Sequence, residues 1–130
     1  MPYGIARARD HAWEERPSVG SEEPRHSTDI TMSAELTQSR ARLWRIPPHA
    51  RGRRHVEKSQ EEVFVVLEGT LTLLAGEPPD RFDLEPRSVA SIKPGTPLQL
   101  RNEGDVELVV FAYGAPPIVG PADMLDDVEL

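Results

Sequence analysis

Residues 54–74 read RHVEKSQEEVFVVLEGTLTLL. Within them Glu62–Leu67, EVFVVL, is β-branched and aromatic and too short for a helix, which makes it a strand. Gly69 permits a turn or bulge, and Thr70–Leu74 continues as a second strand. Polar residues gather at the lip of the first strand. In an extended chain residues i and i+2 face the same way, so His55 and Glu57 project together, and Glu62 leads Phe64 and Val66 along one face. One imidazole and two carboxylates suit Mn, Fe, Ni or Zn, the carboxylates favouring the harder ions. The other reading of the same residues is a histidine hydrogen-bonded to Glu57 or Glu62.

Outward from this stretch, turns and short strands follow one another. Upstream, ELTQSRARLWRI (35–46) mixes strand formers with arginine, and Pro47-Pro48 ends it. Its alternation puts Leu43 and Arg45 on one face and Trp44 on the other; if the first face points inward, Arg45 becomes a pocket cation able to hold a carboxylate. Downstream, AGEPPDR (75–81) is a hairpin loop, Phe82–Leu84 a short strand, and KPGT (93–96) and NEGD (102–105) are turns. Leu98 and Leu100 alternate with Gln99 and Arg101, and Val106–Tyr113 is the last clear strand. Residues 1–34 read as an N-terminal arm, mobile or laid across the domain. Residues 35–114 form the barrel, and 115–130 an acidic, proline-rich tail that forms one helical turn or stays loose. Many short strands at regular spacing define an all-β sandwich or barrel.

Composition bounds the function. With 130 residues the chain is one domain, and its 13 prolines and 9 glycines are spread along it. No cysteine is present, so disulfides and thiolate metal sites are excluded. No segment approaches the roughly 18 apolar residues of a membrane span, and the N-terminal MPYGIARARDHAWEERP lacks a signal-peptide core. The expectation is a cytoplasmic protein. Residues 1–54 hold ten arginines against seven carboxylates, and residues 55–130 five basic residues against fifteen. The acidic second half argues against a nucleic-acid surface. Arg51, Arg53 and Arg54 read as a solvated turn or, more sharply, as an anion-holding rim over a pocket.

HVEKSQEEVFVVLEG (55–69) resembles the first motif of the cupin superfamily, G(X)5HXH(X)3–4E(X)6G, and SIKPGTPLQLRN (91–102) the second, G(X)5PXG(X)2H(X)3N. The resemblance spans roughly residues 40–114. It implies a single-domain jelly-roll β-barrel (a double-stranded β-helix), commonly paired as a homodimer. Cupins usually hold a metal with two histidines and the glutamate of the first motif and one histidine of the second. His55 keeps the first histidine position and Glu62 the glutamate. Glu57 stands where the second histidine belongs, and Leu98, which cannot bind a metal, where the histidine of the second motif belongs. Gly69, Gly95 and Asn102 are retained.

The reading is therefore a small-molecule pocket in the barrel mouth, lined by Arg45, His55, Glu57, Glu62, Phe64, Val66, Leu98 and Leu100, with a degenerate or absent metal site. The alternative is a metal-dependent enzyme of dioxygenase or isomerase type, with a divalent ion on His55, Glu57 and Glu62. A metal-free sugar-nucleotide epimerase, which shares the broader fold, wants a histidine–acid pair and a tyrosine across the pocket. The tyrosines on offer are Tyr113, near the end of the last strand, and Tyr3 in the arm. His11 and His26 read as surface residues, His49 as a loop histidine within reach of the site, and Trp13 and Trp44 as packing residues. No serine has the spacing of a nucleophile.

Overall fold

The structure, a computed structural model, describes residues 2–117 and 120–129. The parts of the predicted arm and tail that fall on Met1, Ile118, Val119 and Leu130 lie outside the described residues. Eleven short strands are described: β1 (Glu14–Arg16), β2 (Arg25–Asp29), β3 (Arg40–Ile46), β4 (His55–Val56), β5 (Glu61–Glu68), β6 (Leu71–Ala75), β7 (Asp80–Leu84), β8 (Val89–Ile92), β9 (Pro97–Arg101), β10 (Leu108–Ala115) and β11 (Asp123–Met124). They form a six-stranded sheet in the order β1-β2-β3-β10-β5-β8 and a five-stranded sheet in the order β11-β4-β9-β6-β7, antiparallel throughout. This is the predicted all-β jelly roll. The one α-helical turn among the described residues, α1 (Ile30–Ser33), is capped by the Asp29 carboxylate accepting from Thr31 N at 2.9 Å. Among the described residues no helix is long and apolar enough to cross a membrane.

The core follows from strand periodicity. On β5, Phe64 and Val66 are buried while Leu67 and Glu68 are exposed, and the inward residues meet Leu71 and Leu73 of β6, Leu98 of β9 and Leu108 and Val110 of β10. Gly69 must be glycine: its φ is +76°, and a methyl there would sit 2.7 Å from the Glu107 carbonyl oxygen. Asn102 is buried and ties three segments, its amide donating to the carbonyls of Ile46 (2.9 Å) and Val106 (2.8 Å) while its oxygen accepts from Gly104 N (3.0 Å). Retention of Asn102 is thus a matter of turn geometry.

Of the two readings of the arm the structure has the one laid on the domain, and two other expectations change. The arm is part of the sheet from β1 onward, because β2 pairs with β3 over four residues; the mixed RHSTD composition of β2 hides its strand character. The tail forms no helical turn: β11 pairs with β4, and beyond it Leu125 N donates to the Arg54 carbonyl. Nor is the Arg51–Arg54 segment a solvated turn. Arg54 is buried and pairs with Glu77, while Arg51 and Gln99 both hold Asp127, at 2.7 and 2.8 Å.

Burial alone would raise the Asp127 carboxyl, but the hydrogen bonds from Arg51 and Gln99 and the charges of Arg51 and Arg101 hold it below its ordinary value. A depressed carboxylate adds stability above its unfolded-state pKa, and that stability is lost as pH falls through the folded-state value. Acidification below about pH 4 is expected to loosen residues 123–128 before the barrel melts. Asp127→Asn should do the same at neutral pH. Hydrogen exchange resolved to the tail checks both, and unchanged tail protection in the variant would contradict this account.

Candidate functional site

The register explains why one end of the barrel is filled and the other open. The inward residues of β10 run Leu108, Val110, Ala112, Gly114, shrinking toward its C-terminal end. Val110 lies between Trp44 and Val66, Ala112 between Arg42 and Phe64, and Gly114 between Arg40 and Glu62. Directly paired residues share a face. At the first level Val110, Val66 and the inner edge of Trp44 fill the barrel; at the last two the central strand contributes almost no side chain. The result is a cavity of about 490 Å3 with Trp44, Ile46, Phe64 and Leu100 on its apolar side. That size is in the usual range for small-molecule clefts, about 300–1,000 Å3.

The polar end is built from β4 and its flanks. β4 is held between β9 and β11, with His55 opposite Leu98 on one side and Met124 on the other. His55 Nδ1 lies 3.0 Å from the Arg53 carbonyl oxygen. A carbonyl only accepts, so Nδ1 carries the proton and Nε2 faces the carboxylates. Nε2 is 3.7 Å from Glu62 Oε1 and 3.9 Å from Glu57 Oε1, ion-pair distances longer than hydrogen bonds. Glu62 Oε1 is buried without a hydrogen-bond partner. Arg40 approaches Glu57 at 3.5 Å and donates to Gln60 Oε1 at 3.1 Å, and Gln60 donates to the Pro116 carbonyl at 3.0 Å. A methyl on Gly114 would come within 2.5 Å of the Gln60 amide, so this glycine makes room for the network.

His55, Glu57 and Glu62 thus meet as predicted by strand geometry, with one ligand atom from each within 4.8 Å of the others. Donors sharing an ion at about 2.1 Å stand roughly 3–3.5 Å apart, so closing on a metal needs only side-chain adjustment. The donor set fits a three-ligand divalent site completed by water. It does not fit a four-ligand one: Leu98, on the same face as His55, is 1% exposed and packed into the core.

Of the other predicted pocket residues, Phe64 and Leu100 line the cavity, and three do not. Val66 and Leu98 lie in the core: Val66 belongs to a filled level, and Leu98, although opposite His55, is packed into the apolar cluster. Arg45 points away. The inward face of β3 is Arg40, Arg42, Trp44 and Ile46, so Arg45 lies outside, 3.3 Å from Glu107 and stacked on Trp13 at 5.2 Å. Trp44 is a cavity residue with the Arg25 guanidinium over its ring at 4.7 Å. His49 turns to Asp105, 3.2 Å away, outside the site. Tyr113 reaches the cavity edge, and Tyr3 is exposed on the surface. Sequence reasoning missed Arg25, Arg40, Arg42 and Gln60, while Arg53, one of the three arginines read as a solvated turn or a pocket rim, does line the cavity; for Arg40 and Arg42 the signal was the period-two stripe that includes Trp44.

The cavity thus lies at the open end of a small jelly-roll barrel. The family model of the cupin domain matches residues 42–113, and the chain belongs to the cupin family. Solved structures agree on the fold. The polyketide cyclase RemF from Streptomyces resistomycificus is 18% identical with TM-score 0.77, the match covering 96% of this chain and 87% of that one. An uncharacterized conserved protein with a double-stranded beta-helix domain from Klebsiella pneumoniae subsp. pneumoniae is 20% identical with TM-score 0.74, covering 95% and 97%. A sugar phosphate isomerase of the cupin superfamily from Silicibacter pomeroyi is 24% identical with TM-score 0.67, covering 81% and 72%. At these identities the likeness establishes fold alone. No curated protein sequence matches significantly.

For His55, burial is the largest single influence and pushes the imidazole down; Glu62, the Arg53 carbonyl and the charge of Glu57 together outweigh it, and the pKa is raised. A raised histidine adds stability below its unfolded-state pKa, and that stability is lost as pH rises through the folded-state value. In chelator-treated protein, the His55 titration followed by NMR is expected to have its midpoint above the ordinary 6.5. Glu62→Gln removes one of the influences that raise the pKa, the Glu62 charge, and the midpoint should fall below that of the native protein. A midpoint unmoved by the substitution would contradict the assigned cause.

Proposed function

We propose that the barrel mouth binds a small organic molecule, and that it does so without the four-ligand metal centre of metal-dependent cupins. The observation that carries this reading is the cavity itself: about 490 Å3, apolar on one side and polar on the other, open because β10 narrows to Ala112 and Gly114. Leu98 in place of a ligand, and the Arg40 guanidinium 3.5 Å from Glu57, support binding that does not depend on a metal.

The test is a fragment screen by thermal shift in the presence of chelator, on native protein and on Ala112→Leu. Leucine at 112 fills the middle level between Arg42 and Phe64. The expected outcome is a set of stabilising fragments whose shifts vanish in the variant while its circular dichroism spectrum is retained. Fragments that stabilise both proteins equally would place binding elsewhere and refute the reading.

A second reading, a metal-dependent enzyme, is favoured by one observation, the buried and unpartnered Glu62 Oε1 beside His55 Nε2. Here His55, Glu57 and Glu62 would hold a divalent ion, which when bound supplies a Lewis acid for a substrate oxygen. Near-stoichiometric metal after loading with Mn, Fe, Ni or Zn, lost in His55→Ala and in Glu62→Ala, would put this reading first.

A further inference from the structure

From the charges left uncompensated around the cavity we infer that its ligand is a small organic anion, a carboxylate or phosphate monoester with a flat apolar body; the inference rests on the mouth being a binding site. The chain is strongly acidic, with 22 carboxylates against 15 basic side chains. The cavity reverses this balance, with four arginines, Arg25, Arg40, Arg42 and Arg53, against Asp29, Glu57 and Glu62. Two of the three acids are already engaged, Asp29 capping α1 and Glu57 facing Arg40 and His55; Glu62 stands 3.7 Å from His55 Nε2, on the far side of the site from Arg25 and Arg42 and in neither one's ion-pair range.

The arginines are not engaged in the same way. Among the described residues Arg25, Arg42 and Arg53 have no carboxylate within ion-pair distance, in a chain where most other basic side chains do. Arg42 is half-buried and donates to the neutral Ser27 hydroxyl at 3.2 Å. Arg25, also half-buried, donates through Nε and one terminal nitrogen to the Pro17 carbonyl while stacked on Trp44. Arg53 sits exposed on the rim, its carbonyl occupied by His55. Half-buried guanidiniums without a counter-charge are costly unless something else supplies it. An anion entering the mouth would do so, and a guanidinium fork suits the planar oxygens of carboxylate or phosphate.

The neighbouring level sets the rest of the ligand. Two residues along β3 from Arg42 is Trp44, and across Ala112 from Arg42 is Phe64. A charged head at Arg42 therefore places the remainder of a compact ligand among aromatic side chains, where a flat apolar body is favoured over a hydroxylated one.

Calorimetric titration of the full chain with benzoate, phenyl phosphate and uncharged benzamide tests the assignment. At least one anion is expected to bind with Kd below about 1 mM, and benzamide about tenfold more weakly or worse. The anion that binds identifies which head group the arginines prefer. Arg42→Gln should lose about tenfold of the anion affinity, Arg42→Lys less, and Arg45→Gln, outside the cavity, none. Arg53→Gln, on the exposed rim where folding is not at stake, should weaken the anion in the same direction. Benzamide binding as tightly as the anions, or anion affinity indifferent to both Arg42→Gln and Arg53→Gln, would overturn the assignment while leaving the mouth a binding site. Failure of all three probes up to about 10 mM would also overturn it; the mouth would then stand or fall on the fragment screen alone.

Discussion

Everything in this barrel depends on β10 being paired along its length on both sides. It must satisfy the backbone of β3 and of β5 at once, which fixes the register of both and with it the level at which each inward side chain sits. The same strand decides where the barrel is solid and where it is hollow. Leu108 and Val110 fill their levels; Ala112 and Gly114 leave theirs to whatever the flanking strands supply. Because those strands supply Arg40, Arg42, Glu62 and Phe64, the hollow end is also the charged end.

The polar network at the mouth has an internal order of strength. Gln60 is fully buried and bridges Arg40 to the chain beyond β10, so it acts as a scaffold. His55 is oriented through Nδ1 by a backbone carbonyl, which leaves Nε2 to the two glutamates. Such a histidine is poised rather than spent, whether the partner that reaches it is a ligand, a proton or an ion.

Much of this was legible in the sequence, and the failures are instructive. EVFVVL showed its strand and inward face because β-branched residues alternate with a single purpose there, and the two motif-like stretches located the mouth at His55, Glu57 and Glu62. Arg45 was assigned to the wrong side because alternation gives two faces without saying which is inward; that choice is made by the partners of β3. Val66 lies on the inward face but at a filled level, and Leu98, level with His55, is packed into the core; depth along a barrel comes from cross-strand register and packing, which one strand does not contain. β2 and β11 escaped detection for another reason. RHSTD and DM have weak strand propensity and become extended only because an edge is waiting for them.

The brevity of β4 bears on motion. Two residues carry it, joined to two residues of β9 and two of β11, whereas β10 is anchored over seven positions on each side. Opening free energy in a folded protein is unevenly distributed, lowest where few backbone bonds and contacts must be broken together. The segment bearing His55 is accordingly anchored far more lightly than the frame of the barrel, as is β11 beyond it, whose strand pairing is with β4 alone, so the imidazole is carried by the part of the sheet with the fewest backbone bonds to break.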